Sequence, residues 1–569
     1  MQSLPKLWYA VIMPRDKMRL FLVALLFCSV RLFPVSFNDE GSPEEIAARL
    51  LEAMSDEQVL AQTFMLGWVG AAPSPLILEW IQKRNIGGVK IFGWNTADTT
   101  LLAQTVGELQ TNALKGDFDI PLFVATDQEG GWIRHVKGAT SETPGNMAIG
   151  ASGYPQDAYW SGYYIGRELA LLGINMNFAP TVDLYTNRDS VLIGPRAFGV
   201  NPVHAGILGA AFMKGQQAAG IIPTAKHFPG HGDTDLDSHG VLPQIDAPFE
   251  LLWERELVPY RMLAKENLPA VMSGHLSFPQ TPAGNTPASL SSWFLQDILR
   301  DTIGFEGIVI TDDLMMNGAT MSAGSLSLAT KQALSAGNDV VMLSSTPFLN
   351  DPVWTRLSNA MQSEPAFRER VYDAARRILM LKVRFLKGAH AVPLIPQPER
   401  IKAELPDKKG NEFFLGLAAR SVTLIKAEPE TFPLIPERAG TVLLAGQYED
   451  FFRAGQAAYP NAAVYWYSSQ GVEDLIQSAL SADTVIFCLS SEAGISYLNA
   501  LKKTRARIIV LSVLTPVYLD EVSWVTTALA VYSYAPESFR AGFSALVGTI
   551  PTPGILPFPL NEPRHQKSP

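Results

Sequence analysis

Short apolar runs alternate with longer stretches in which apolar positions recur every three or four residues, from about residue 44 to residue 390. The runs lie at 60–68, 88–92, 122–126, 174–179, 221–226, 270–273, 307–311 and 339–343, and the longer stretches include 75–84, 158–172, 203–219 and 251–266. Near-continuous apolar runs of this length predict strands buried on both faces, and the pattern between them predicts amphipathic helices. Together they specify a parallel sheet. Eight such units in succession predict an α/β chain that opens with a (β/α)₈ barrel over residues 44–392. In such a barrel, function collects just after the strands, at their C-terminal ends. Asp127, Asp183, Lys226, His227, His275 and Asp312 all stand there, a distribution that core packing does not explain.

Beyond the barrel the pattern changes. Residues 393–410 are rich in Pro, Lys and Glu and read as a linker. A second, smaller α/β domain is expected over 411–557, with a layered, mostly parallel sheet whose strands fall at 423–426, 441–444, 463–467, 485–489, 508–513 and 529–532. No glycine-rich phosphate loop follows its first strands, so a nucleotide site is unsupported. The polar tail, 558–569, is expected to be disordered.

Composition narrows the function classes. The chain has 569 residues, 47% of them apolar and 18% charged, which suits well-buried domains. The net charge is −10 with no basic block, which argues against nucleic acid as a partner. Two cysteines, Cys28 and Cys488, cannot build a disulfide framework or a Cys-rich zinc site, and Cys488 sits in an apolar run as a core residue. At the N-terminus, Lys17 and Arg19 precede an uncharged stretch at 20–30, the pattern of an export leader over 1–36. Leu25-Leu26-Phe27-Cys28 loosely resembles a bacterial lipobox, with a bulky Phe27 where a small residue is usual. Cleaved leader, lipidated leader, uncleaved membrane anchor and apolar N-terminal arm stay open; the first three imply an exported, periplasmic or membrane-attached protein, and a cytoplasmic one stays open with the last.

The densest chemistry is Lys226-His227-Phe228-Pro229-Gly230-His231-Gly232-Asp233-Thr234-Asp235-Leu236-Asp237-Ser238-His239, which leaves the fifth strand for a Gly- and Pro-containing loop. Three readings compete: a structural loop whose His and Asp groups cap one another; a zinc site built on His227 and His231; and an acid/base dyad of Asp237 and His239. In the dyad, two groups two residues apart in an extended segment share a face, and the carboxylate polarises an imidazole that titrates near neutrality. A second signal is Thr311-Asp312-Asp313-Leu314, where a strand ends in two carboxylates. Asp313 is placed to cap the next segment, and Asp312 to point into the barrel mouth, where a carboxylate can attack an anomeric carbon.

These two segments resemble the bacterial β-N-acetylglucosaminidases of glycoside hydrolase family 3. The resemblance extends to Asp127-Gln128-Glu129-Gly130-Gly131, Asn177-Phe178-Ala179-Pro180, Pro195-Arg196-Ala197-Phe198-Gly199 and Gly554-Ile555-Leu556-Pro557. It implies a retaining exo-hydrolase that releases terminal N-acetyl-β-hexosamine from N-acetylglucosamine-containing oligosaccharides, muropeptides or chitin fragments, with no metal or organic cofactor. It implies Asp312 as nucleophile, Asp237 and His239 as acid/base pair, and Asp127, Arg196, Lys226 and His227 as contacts to the sugar, with His275 lining the pocket. Family members often carry Arg directly after Gly-Gly and again three residues later. Here Trp132-Ile133-Arg134-His135 follows Gly131, so His135 takes the second Arg position, and Arg134, shifted by one, is the candidate contact. Trp132 is either a stacking platform or a packed residue. A β-glucosidase, a phosphorylase of the same family and a non-catalytic sugar-binding lipoprotein are the competing functions. The Asp-Ser-His dyad, which the family's β-glucosidases generally lack, favours an N-acetylated sugar.

Overall fold

Eight short strands, every residue of which is buried, form one parallel sheet in the computed structural model, which describes residues 35–236, 240–467 and 470–560. They are β1 (Phe64–Leu66), β2 (Gly88–Lys90), β3 (Phe123–Thr126), β4 (Met176–Asn177), β5 (Ile222–Phe228), β6 (Ala270–Ser273), β7 (Ile308–Thr311) and β8 (Val341–Leu343). Their order is β8-β1-β2-β3-β4-β5-β6-β7, and a parallel bridge between Ile310 and Val340 joins the two ends into a barrel. Each strand falls inside or across one of the predicted apolar runs. The leader assigned to 1–36 lies, up to residue 34, outside the described residues. Among those described, no helix is long and apolar enough to cross a membrane.

Local chemistry sets the helix limits. In Pro75–Arg84, Ser74 accepts the Ile77 N–H at 3.2 Å, Pro75 opens the first turn, and Asn85 closes the helix in the left-handed region. Ile77, Trp80 and Ile81 form its buried face. The helix predicted over 251–266 is instead two, Phe249–Glu254 and Leu257–Lys265. Pro259 explains the break: it has no N–H for the Arg255 carbonyl and its ring clashes there, but it fits the first turn of a new helix.

Two further expectations are corrected. Residues 393–410 are not a bare linker, because they contain the helix Pro398–Glu404 and the start of Lys408–Ser421. Pro398 sits at the first helical position, where proline is favourable, and Ile401 is buried. The tail is not disordered from residue 558: Phe558 is buried edge-on against Tyr185, and the Pro559 carbonyl accepts from Arg188. Residues 561–569 lie outside the described residues.

The second domain holds a six-stranded sheet of β9 (Thr423–Lys426), β10 (Val442–Gly446), β11 (Ala463–Trp466), β12 (Thr484–Leu489), β13 (Arg507–Ser512) and β14 (Thr527–Ala530). The order is β9-β14-β13-β12-β10-β11, parallel except for the antiparallel edge strand β9. One face of this sheet shares a hydrophobic core with barrel residues Met147, Ala148, Tyr185, Ile193 and Ala197. The C-terminal segment returns to the barrel, where Val200 donates to the Pro557 carbonyl and Ile555 to that of Ala151. The second domain therefore braces the barrel segment that carries Arg196.

Candidate active site

A cavity of about 190 Å³ opens at the C-terminal end of the barrel. Asp127, Arg196, Lys226, His227 and Asp312 all line it, together with Lys90, Glu129, His135, His231 and Asp313. Among the described residues, every lining side chain precedes Leu343, so none comes from the second domain. Asp237 and His239 lie outside the described residues.

The strands place these groups. β2 ends in Lys90 and β5 carries Lys226 and His227. The chain leaves β3 through Asp127 into a two-stranded ribbon, Gln128–Gly130 against Ile133–Arg134. Its turn passes through Gly130 and Gly131, both at positive φ, and a Cβ on Gly131 would lie 3.2 Å from the Gly145 Cα. At the start of the loop after β5, a Cβ on Gly232 would lie 1.5 Å from the Leu184 carbonyl oxygen, so only glycine lets the two backbones meet.

Charge is balanced pair by pair. Lys226 Nζ contacts both Asp127 Oδ1 and Glu129 Oε1, the latter at 2.7 Å. Lys90 Nζ is 2.7 Å from Asp127 Oδ2. Arg196 grips Glu129 with two parallel bonds, Nε to Oε2 at 2.9 Å and Nη2 to Oε1 at 2.8 Å. Burial alone would raise these carboxyls, but the facing cations reverse the effect. Glu129 falls to about 2 under Arg196 and Lys226, and Asp127 falls well below the carboxylate range under Lys226 and Lys90. Burial lowers His135 to about 4, with Lys90 adding to it, so that ring is neutral at pH 7.

His227 is fixed at both nitrogens. Nδ1 donates to Asp183 Oδ2 at 2.7 Å, which leaves Nε2 to accept from Arg196 Nη2 at 3.3 Å. The Asp183 carboxylate also takes the backbone N–H groups of His227 and His231. This disfavours the zinc reading, because the Nε2 lone pair faces a guanidinium. His231 differs: it is buried, and neither ring nitrogen has a partner among the described residues. Burial lowers it to about 4, so a neutral imidazole with a free donor and a free acceptor lines the cavity.

Asp312 follows β7, its N–H donating to Ser273 O at 3.0 Å and its Oδ1 accepting the Asp313 N–H at 2.8 Å. Burial would raise its pKa, yet the facing His227 and His275 rings, the Asp313 N–H and the Lys226 ammonium hold it below the ordinary value. It is thus an ionised carboxylate in the cavity wall. Asp313 does cap, accepting the Met315 and Ser344 N–H groups at 3.0 Å each.

Two expected sugar contacts are not at the cavity. Arg134 donates instead to Thr140 O at 2.9 Å and to Glu142 Oε1 at 2.7 Å. It is the ribbon neighbour of the cavity-lining Ile133, and successive strand residues face opposite ways. Trp132 is likewise not among the lining residues. His275 is fully engaged behind the wall, Nε2 donating to Asp313 O at 3.0 Å and Nδ1 accepting from Ser289 Oγ at 2.7 Å. It positions the Asp312–Asp313 turn. His275→Ala is therefore expected to lower kcat by about tenfold or more with little change in KM. A rise in KM at constant kcat, measured on any turned-over glycoside, would restore a direct sugar contact.

The glycosyl hydrolase family 3 N terminal domain matches residues 57–381. The chain is 32% identical over 361 residues to "Beta-hexosaminidase A" of Pseudoalteromonas piscicida, a match covering 58% of this chain and 60% of that protein. It is 36% identical over 278 residues to a "Beta-hexosaminidase" of Thiobacillus denitrificans, covering 48% of this chain and 75% of the other. Among solved structures, the glycoside hydrolase family 3 β-N-acetylglucosaminidase of Paenibacillus sp. str. FPU-7 superposes with a TM-score of 0.81 at 29% identity, covering 89% of this chain and 99% of that one.

Proposed function

Because the chain belongs to glycosyl hydrolase family 3, we propose that it is a retaining exo-β-N-acetylglucosaminidase acting by double displacement through a glycosyl-enzyme on Asp312. The observation that carries this reading is the ionised Asp312 in a cavity whose far wall is a locked set of charges, Asp127, Glu129, Lys226 and Arg196. The relatives named for hexosaminidase activity supply the N-acetylated sugar.

The chemistry follows from those groups. Asp127 and Lys226 hold hydroxyls of the terminal ring, and because both are tied to buried partners they do not reorganise when the ring binds. The Asp312 carboxylate attacks the anomeric carbon from the face opposite the leaving group. His239, paired with Asp237, protonates the departing oxygen; the neutral imidazole then takes a proton from water, which attacks the same carbon, frees Asp312 and restores the β configuration. A histidine acid avoids like-charge repulsion with Asp312.

The account fixes the pH profile. kcat/KM requires ionised Asp312, so the acid limb lies below pH 3.8. It also requires protonated His239, so raising the pH until that imidazole loses its proton removes the acid and the rate falls. His239→Ala should abolish the alkaline limb and slow a disaccharide far more than an activated aryl glycoside; equal losses on both substrates would remove His239 from this role.

The test of the reaction class is chromophore release from an aryl β-N-acetylglucosaminide beside the aryl β-glucoside, with and without phosphate. Cleavage of the N-acetyl substrate faster by about a hundredfold or more, yielding free sugar, is expected. Preference for the glucoside would overturn the sugar assignment, and accumulation of a sugar 1-phosphate would make the enzyme a phosphorylase.

A further inference from the structure

An exo-acting enzyme takes a single terminal ring into this cavity of about 190 Å³, so the group that leaves rests on the rim outside it. β7, β8, β1 and β2 are consecutive round the barrel. The segments following them present Met315, Phe348, Val69 and Trp94, all exposed, with Phe348 71% and Trp94 52% accessible. Single exposed apolar residues are ordinary on any surface. These four stand on adjoining loops that are bonded to one another. Ser345 Oγ meets Met315 Sδ at 3.2 Å, and Thr346 Oγ1 donates to Gly67 O at 2.6 Å. Trp94 Nε1 donates to Trp68 O at 2.8 Å, and Asn95 Nδ2 to Gly70 O at 2.6 Å. The arc is thus one connected surface.

It is also continuous with the cavity. The Trp94 indole stacks on Phe92, with centroids 4.5 Å apart and planes 10° from parallel, and Phe92 itself lines the cavity with Lys90 Nζ 4.3 Å from its ring. The charges that hold the terminal ring come from the other side: Asp127 and Glu129 follow β3, Arg196 follows β4, and Lys226 lies on β5. A β-linked pyranoside is extended, its aglycone pointing away from the ring's far end. With that end among those charges and C1 over Asp312, the aglycone emerges across β7, β8, β1 and β2.

The geometry points to this arc, with Trp94 as its platform, as the subsite for the second sugar of a β-linked oligosaccharide. The C–H face of a pyranose covers the exposed indole, so the enzyme is built for di- and oligosaccharides in preference to glycosides of small alcohols. The assignment rests on the proposed roles of Asp312 and Asp127.

The test compares kcat/KM for methyl β-N-acetylglucosaminide and for the β-1,4-linked disaccharide of N-acetylglucosamine, in wild type, Trp94→Ala and Trp94→Phe. Trp94→Ala is expected to lose about tenfold on the disaccharide and to stay within about twofold of wild type on the methyl glycoside. Trp94→Phe, which keeps an aromatic face, should recover most of the loss. Equal losses on both substrates, or no loss on the disaccharide, in an enzyme whose wild type cleaves both, would overturn the subsite while leaving the reaction class intact. A wild type that cleaves neither substrate would overturn the reaction class and the subsite with it.

Discussion

Asp312→Ala is expected to lower kcat by at least about a thousandfold while leaving the thermal midpoint close to that of wild type. Asp312 is the carboxylate that the end of β7 delivers into the cavity in ionised form, and its neighbours give no substitute. Asp313 spends its Oδ1 on the Met315 and Ser344 N–H groups. Asp127 is clamped between Lys90 and Lys226 on the wall that receives hydroxyls. Steady-state rates on an aryl β-N-acetylglucosaminide measure the loss. A variant keeping a tenth of the wild-type rate would exclude Asp312 as nucleophile.

Lys226→Met should damage both folding and function. The ammonium is 3% exposed and lies between Asp127 and Glu129, and Glu129 itself is 1% exposed. Methionine fills the space of the stem but leaves the two carboxylates facing each other without their shared cation. Breaking a buried ion pair in this way costs about 3–5 kcal/mol. Glu129 also makes the effect depend on pH. Its folded pKa, about 2, lies below the ordinary 4.5, so its contribution to stability is present above pH 4.5 and is lost as pH falls through about 2. Without Lys226 the folded pKa rises towards the ordinary value, so the stabilisation present at pH 7 shrinks and less of it is left to lose as the pH falls. Thermal melts at pH 7 should show a lower midpoint, which falls less towards pH 4 than that of wild type, and kcat/KM should drop by about a hundredfold or more. An unchanged midpoint would mean that Arg196 and Lys90 alone neutralise the cluster.

The barrel was legible in the sequence because strands buried on both faces must be apolar throughout, and eight such runs are hard to arrange otherwise. What escaped was punctuation by proline. Pro259 split a helix that the apolar periodicity joined, and Pro398 started one inside a stretch whose composition suggested a linker. Phe558 was lost because the polar run from Asn561 onward set the reading of the whole tail, although its ring packs on Tyr185.

In the site, the strand-end rule located Asp127, Lys226, His227 and Asp312, all of which line one cavity. It did not foresee Lys90 and Glu129, yet both left a signal. Lys90 is a charge inside an apolar run, which has to be paired, and Glu129 stands two residues from Asp127, on the same face of an extended chain. His275 and Arg134 follow the same logic in reverse: they occupy strand-end and ribbon positions, but their side chains are committed to neighbours behind the wall. That commitment depends on contacts with Ser289, Asp313, Thr140 and Glu142, which spacing along the chain does not encode. His231 was visible in the sequence as a member of the loop motif and as a candidate zinc ligand beside His227. Its distinguishing property, burial without a partner, exists only in three dimensions.

The most direct test of the double-displacement account is the anomeric configuration of the sugar first released, followed by proton NMR during rapid hydrolysis of an aryl β-N-acetylglucosaminide. Passage through a glycosyl ester on Asp312 predicts the β-anomer first, with the α-anomer growing in only as mutarotation proceeds. The α-anomer as first product would mean a single displacement by water, and Asp312 would then be a base and not a nucleophile.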